Sequence, residues 1–391
     1  MEVRKLREIY QSKFGGGEPR VFRSPGRINI IGEHTDYNDG FVLPAAVDKE
    51  IYLLMLPNDS DQINIYSIDE NESISLTLKD YSKSIPAWAK YPIGVVDQLL
   101  KLSKKIGGFN CVFGGDIPIG AGLSSSAALE CATLFGLNEC FDLGLKKDEI
   151  AKIAQRAENE FVGVNCGIMD QFASVFSKKN HALKLDCRDL TYQAYQLDLG
   201  DYSLMLVDSL VKHSLASSEY NVRRQECEEA VAAIATQFPH VKSLRDAEID
   251  HLNSVKASLS KIIYTRAKYI IEEIERVNLA CQAIEDKDLK TLGKLIYDTH
   301  YGLQYEFEIS CKELDFLVDF TKGLPEVLGA RMMGGGFGGC TINLIQSNFQ
   351  DQFELSISKS YQDKFGIKPN IYQVQTANGS SEIKDLLLDN E

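Results

Sequence analysis

Gly120, Gly122 and the serine run Ser124–Ser126 stand together in FGGDIPIGAGLSSSAALEC, over Phe113–Cys131. Glycines let a backbone come close to a bulky ligand and turn its N–H groups inward. The serines offer helix caps, and the alanines after them are good helix formers. A helix N-terminus adds unpaired donors and a partial positive charge, so the segment can cradle an anion such as phosphate. A glycine-rich turn ahead of a small-residue packing helix has the same composition. No Walker A loop is present, because the Gly293-Lys294 pair is followed by Leu295. The H-R-D and D-F-G motifs of protein kinases are also missing. A cradle without a lysine takes its positive charge from the helix, a metal ion or a distant side chain. Ser126 is then a candidate magnesium ligand through its hydroxyl.

A second polar concentration runs from Arg27 to Asp39 and includes Glu33, His34, Asp36 and Asn38 between two apolar segments. Carboxylates and an imidazole can each pair with hydroxyls that both donate and accept, as a sugar pocket requires. A solvated charged hairpin with its turn at Asn38-Asp39-Gly40 fits the same residues. Asp170 lies in the otherwise apolar run Val164–Phe172, where a carboxylate is either well paired or functional. Trp88 either fills core or walls an adenine. Gly334, Gly336 and Gly339 formally match G-x-G-x-x-G, but a strand follows where a dinucleotide fold needs a helix. That cluster reads better as a loop whose backbone approaches the cradle or the substrate.

The elements that must position these residues follow from periodicity. Residues 2–14 have helical spacing, and a short strand near Val21-Phe22 is broken at Ser24-Pro25-Gly26. Strands fit Phe41–Leu43, Ile51–Leu56, Ile63–Ile68 and Ser73–Leu78, and a helix from Trp88 is expected to run to the cradle. A helix over 146–162 carries Glu158 near its end. Strands fit Ala182–Leu185, Tyr192–Leu197, Leu204–Asp208 and Thr341–Ile345, and helices 217–238, 262–285 and 288–300. The shift from strand-rich to helix-rich sequence places a domain boundary near residue 200, giving units 1–200 and 201–391.

The 391 residues, 44% hydrophobic and 25% charged, suit an ordinary globular protein of two or three domains. A net charge of −14 argues against a nucleic-acid surface. No apolar run approaches spanning length, and MEVRKLREIYQ is too charged for a signal peptide. Nine scattered cysteines, without C-x-x-C pairs or zinc spacing, fit a reduced cytoplasm.

Three of these segments resemble the signature motifs of the GHMP small-molecule kinase family. GRINIIGEHTDYNDGFVLPAAVD, over Gly26–Asp48, is similar to the galactokinase signature of that family; IPIGAGLSSSAA resembles its phosphate motif and RMMGGGFGGC its third motif. AENEFVGVNCGIMDQFAS and SSEYNVRRQECEEA are similar as well, so the likeness runs from about residue 20 to 345. The resemblance implies an α+β, two-domain GHMP kinase fold. Its N-terminal mixed sheet with helices would be ribosomal protein S5 domain 2-like, its C-terminal domain ferredoxin-like, and its active site the cleft between them. It also implies transfer of the ATP γ-phosphoryl group to the anomeric hydroxyl of galactose, with Mg2+.

Carried over position by position, Asp170 is the implied base and Arg27 the stabiliser of the transition state. Glu33, His34, Thr35, Asp36, Gly167, Asp170 and Tyr220 fall on sugar-binding positions. Ser126 and Glu158 fall on magnesium positions, and Gly120, Ala121, Gly122, Leu123, Ser124, Ser125 and Ser126 on the phosphate loop. Ser67 and Trp88 resemble adenine-side positions. Galactose and ATP are the expected small-molecule partners of a cytoplasmic monomer, with neither nucleic acid nor membrane. Met333 and Gly335 depart from the more usual Thr and Ala of the third motif, and the lost hydroxyl removes one possible ligand contact. Ile28 for Val is a conservative change. Two competing functions are a kinase for N-acetylgalactosamine, arabinose or a uronic acid, and a galactose sensor without turnover. The run Thr35–Gly40 matches the galactose type, and Ser126-Ala127, which such sensors lack, favours catalysis.

Overall fold

The computed structural model describes residues 3–81, 84–118, 120–211 and 216–384. After helix α1 (Val3–Phe14) come β1 (Arg20–Asn29), β2 (Phe41–Val42), β3 (Pro44–Pro57), β4 (Gln62–Ser67), β5 (Glu72–Thr77), α2 (Lys90–Lys101) and β6 (Phe109–Gly115). Helices α3 (Ser125–Cys140), α4 (Lys147–Arg156) and α5 (Met169–Phe176) precede β7 (His181–Asp186), β8 (Tyr192–Gln196) and β9 (Tyr202–Asp208). A helical stretch follows: α6 (Ala216–Ala235), α7 (Ile249–Ser254), α8 (Lys261–Glu285), α9 (Leu289–Tyr305) and α10 (Lys312–Thr321). The chain closes with β10 (Val327–Met332), β11 (Cys340–Gln346), α11 (Gln350–Phe365), β12 (Asn370–Val374) and β13 (Ser381–Ile383).

The first sheet has the order β13-β1-β3-β6-β4-β5, and it is mixed because β4 and β6 run parallel. The second, β10-β11-β9-β12, is antiparallel, and a small third sheet joins β2, β7 and β8. Helix α3 packs on β1 and β3 and is buried around most of its circumference, which its small residues permit. One apolar core runs from the first sheet through α2, α3 and α4 to Leu204, Leu206, Ile342 and Leu344 of the second sheet. The cleft between the two sheets therefore has walls that share a core. No described helix is long and apolar enough to cross a membrane.

Three local differences from the sequence reading bear on the site. Strand β1 is one ten-residue strand, not a strand broken at Pro25, because a bulge between Pro25 and Arg27 absorbs the proline. The bulge brings Arg27 N–H to the Leu123 carbonyl at 3.0 Å. Second, α2 stops at Lys101 and β6 leads into the cradle instead. Its terminal Gly114-Gly115 disguises a strand, yet a Cβ on Gly115 would fall 2.2 Å from the Glu50 carbonyl of β3, so glycine is what the pairing demands. Third, the helix over 146–162 is α-helical only to Arg156 and continues as a π-helical turn, Ala157–Val162. Such widened turns recur at functional sites, and this one carries Glu158.

The second sheet begins at β9, just past residue 200, whereas β13 pairs with β1 in the first sheet. We propose a division near residue 200 with the final strand handed back to the first unit.

Candidate active site

The cleft, of about 340 Å³, is lined by Arg27, Glu33, His34, Asp36, Glu158, Gly167, Asp170 and Tyr220, and by Gly120, Gly122 and Gly334–Gly336. Residues from six separate parts of the chain thus meet around one space. At its centre, Arg27 grips Asp170 with both arms: Nε donates to Oδ1 at 2.7 Å and Nη2 to Oδ2 at 2.9 Å. Its remaining nitrogen, Nη1, donates to the Gly122 carbonyl at 2.6 Å, so one guanidinium ties the carboxylate to the glycine loop. Burial opposes the Arg27 charge, but Asp170, Glu33 and Asp36 outweigh it and hold its pKa above the usual value. Asp170 sits in the first turn of α5, where the helix dipole favours a carboxylate.

The glycine loop ends at Ser124, which has left-handed φ and ψ of 57° and 51° and precedes α3. Its side chain does not cap the helix, contrary to the expected use of these serines, but donates to Asp170 Oδ2 at 2.6 Å. The first-turn amides of α3 therefore carry no side-chain cap, which suits an anion. The third glycine cluster lies against this loop backbone to backbone. A Cβ on Gly122 would stand 3.1 Å from the Met333 carbonyl, and one on Gly339 would stand 3.6 Å from the Gly120 carbonyl. Met333 itself is buried in the core, so its side chain stays out of the cleft. A Cβ on Gly335 would be in ordinary contact with the Tyr220 ring at 3.6 Å, so either glycine or alanine fits there.

Across from the loop stands the polar run after β1. His34 is buried with φ 63°, its Nδ1 2.7 Å from the Tyr37 hydroxyl and its ring 4.9 Å from that of Tyr220. Burial lowers its pKa to about 4 against the opposing pull of Glu33, so the ring is neutral at ordinary pH. Its Nε2 is buried, and the Gly335 backbone acts on the ring by hydrogen bonding. Burial, then the charge of Asp170, pushes the Asp36 carboxyl up to about 7. Asp36 comes so close to Gly167 that a Cβ there would fall 2.0 Å from its Oδ2. Thr35 is different: its hydroxyl donates to the Phe41 carbonyl at 2.6 Å, with the Gly32 carbonyl 3.0 Å away, and it does not line the cleft. It closes the loop, where the sequence reading had it binding substrate.

Glu158 is also drawn up to about 7, by burial first and Asp170 second, with Ser126, Cys166 and Gln171 pulling the other way. Gln171 Nε2 donates to it at 2.7 Å. Ser67 and Trp88 do not line the cleft; both flank Phe113, at the end of β6 just before the loop. Ser67 pairs with Phe113 across β4 and β6, and the Trp88 ring lies 5.7 Å from the Phe113 ring. Ala121 and Leu123 turn inward into the core. No cluster of three or more histidine, cysteine or acidic side chains able to hold a metal occurs among the described residues.

Several supporting residues escaped the sequence reading. Arg331 is fully buried, donating to Ile30, Asn29 and Met332 carbonyls and to Glu33 Oε1 at 3.0 Å. Gly334 N–H reaches the same Glu33 oxygen at 3.0 Å. Glu273 of α8, also fully buried, accepts from Gly32 N–H at 2.8 Å and pairs with Arg276. Behind Glu158, Gln171 also donates to buried Glu130, at 3.2 Å. Arg331 adjoins a glycine motif, which was an available signal; Glu273 and Glu130 look like ordinary helix residues.

Both walls of the cleft match the GHMP kinases: residues 90–178 match the N-terminal domain of that family and residues 270–361 its C-terminal domain. The class is thus a GHMP small-molecule kinase. Residues 8–57 match the galactokinase galactose-binding signature. A galactokinase of Thermosipho africanus is 42% identical over 93% of this chain and 99% of its own length. One from Clostridium tetani is 36% identical over 98% of each. The crystal structure of Lactococcus lactis galactokinase complexed with galactose superposes with a TM-score of 0.94, at 32% identity, over 97% of this chain and 100% of that one. Methanococcus jannaschii mevalonate kinase, at 20% identity and TM-score 0.64, shares the fold. The chain belongs to the galactokinase family, ATP-dependent sugar kinases of the GHMP class.

Proposed function

We propose that this cleft transfers the ATP γ-phosphoryl group to the anomeric hydroxyl of galactose, with Asp170 accepting the hydroxyl proton. The observation that carries this reading is the Arg27 guanidinium, bonded at once to Asp170 and to the Gly122 carbonyl of the glycine loop. It sets a proton acceptor beside an anion cradle. The sugar oxygen bonds to the γ-phosphorus as its proton passes to Asp170, and the bond to the β-phosphate oxygen breaks to release ADP. Such transfer demands positioning and charge neutralisation above all. Arg27 meets the charge developing on the transferred group, and the open amides of α3 hold the phosphates.

Glu33, His34, Asp36 and Tyr220 read the sugar hydroxyls, with Gly167 making room for Asp36. Ser67 and Trp88 flank the adenine side. Ser126 and Glu158 fit Mg2+: they offer hard oxygen donors, and the side chain of Ser126 bonds that of Glu158. Bound there with nucleotide, the ion would neutralise phosphate charge in place of the missing loop lysine. Two protein ligands alone suit a magnesium ion that shares the nucleotide phosphates. The nine unpaired cysteines fit a reducing cytoplasm.

The test is purified protein with ATP, magnesium and a panel of sugars, followed by phosphorus NMR. Galactose should give a C1 phosphate. A C6 phosphate, or turnover of the other sugars but not galactose, would overturn the reading.

A further inference from the structure

Asp170 has more hydrogen-bond donors on one oxygen than on the other. Oδ2 accepts from Arg27 Nη2 at 2.9 Å and from the Ser124 hydroxyl at 2.6 Å, whereas Oδ1 accepts from Arg27 Nε at 2.7 Å. A carboxylate oxygen has lone pairs for about two such bonds. Oδ2 is therefore filled, and Oδ1 keeps one acceptor position. We infer that Ser124 is a positioning residue for the proton acceptor: by occupying Oδ2 it directs the sugar hydroxyl to Oδ1. The inference rests on the reading of Asp170 given above.

Ser124 is placed for this by its backbone. It precedes α3 in a left-handed conformation that costs a serine energy, and it follows Gly120 and Gly122, which also have positive φ. A serine at this position ordinarily caps the helix it starts. Here the hydroxyl crosses to α5, so one residue both leaves the α3 amides open and fixes the carboxylate opposite them. A hydroxyl has a single proton, and this one is given to Asp170. Its side chain cannot donate that proton to a nucleotide phosphate at the same time. Ser124 thus meets the phosphates through its backbone, and its hydroxyl belongs to the sugar half of the reaction.

The two roles separate kinetically. Ser124→Gly removes the hydroxyl and tolerates positive φ without strain. Ser124→Ala removes the same hydroxyl from a stiffer backbone, so a loss shared by both variants is not loop loosening. Each should lower kcat by roughly ten- to a hundredfold, the worth of a hydrogen bond to a charged group, with the KM for ATP unchanged. In single-turnover measurements, Ser124→Gly should add no further loss to Asp170→Asn, because it acts through that carboxylate. A raised KM for ATP with kcat retained, or losses that multiply fully in the double variant, would overturn the inference and make Ser124 a phosphate contact. Near-normal turnover in Asp170→Asn alone is a different result, since it would remove the proton acceptor itself.

Discussion

The Asp36 carboxylate lies over Gly167 so closely that the smallest side chain at that glycine would penetrate it, with a Cβ 2.0 Å from Oδ2. Gly167 is therefore a space reserved for an acid from the opposite wall. In Gly167→Ala the carboxylate must move, while the cleft keeps all its other groups. The KM for galactose should rise by about tenfold or more, the cost of one misplaced hydrogen-bonding charge, and the KM for ATP should stay put. Preference for galactose over glucose should narrow, because a site built to pair with hydroxyls rejects an epimer through its unmatched groups. Steady-state kinetics with both sugars decide this. Unchanged galactose kinetics would remove Asp36 from sugar recognition.

Glu158 is held up to about 7 by burial and the nearby Asp170 charge, with Ser126 beside it. Glu158→Gln keeps the shape and the bond from Gln171 but removes the charge. The magnesium concentration needed for half-maximal turnover should rise at least roughly tenfold, by analogy with lost metal-site partners, and galactose affinity should stay near wild type. An identical magnesium titration would assign Glu158 to structure.

Asp36 gives the ligand-free protein a pH signature. Its folded pKa is raised from 3.8 to about 7. Below the lower value the proton is held in both the folded and the unfolded chain, and the buried group costs nothing. As pH rises through the upper value the folded chain must carry a desolvated charge, so wild type loses stability across that window. Asp36→Asn has no such proton to lose. Its stability relative to wild type should therefore increase between about pH 4 and about pH 8, as read by urea unfolding at each pH. A constant difference would show that Asp36 ionises freely in the folded protein.

Part of this cleft is legible because its residue types are out of place in their surroundings; Gly167, Tyr220 and Glu158 follow only from the resemblance to the GHMP kinases. Asp170 in an apolar run, and the charges between Arg27 and Asp39, could not be explained by packing alone. The helices of the second half, α6, α8 and α9, followed from spacing. Nothing local in the sequence shows that Gly32 and Phe41 present their carbonyls to the Thr35 hydroxyl. Strand β6 was hidden by the glycines that its close pairing with β3 requires. Arg331 reaches Glu33 across 298 residues of chain and Glu273 reaches Gly32 across 241, and such contacts have no periodicity to betray them. The Ser124 hydroxyl was assigned to the helix it precedes, since only the fold brings α5 opposite.

The central claim is that Asp170 takes the proton of the attacking hydroxyl. Asp170→Asn keeps the shape of the side chain and much of its bonding to Arg27 and Ser124, but it cannot accept that proton. The decisive measurement is kcat of this variant at saturating galactose, ATP and magnesium, alongside galactose binding by calorimetry. The account predicts a fall of roughly 10²–10⁴-fold, the usual range for general-base catalysis, with galactose still bound. Near-normal kcat would contradict it and leave Arg27 and positioning to perform the transfer without a base.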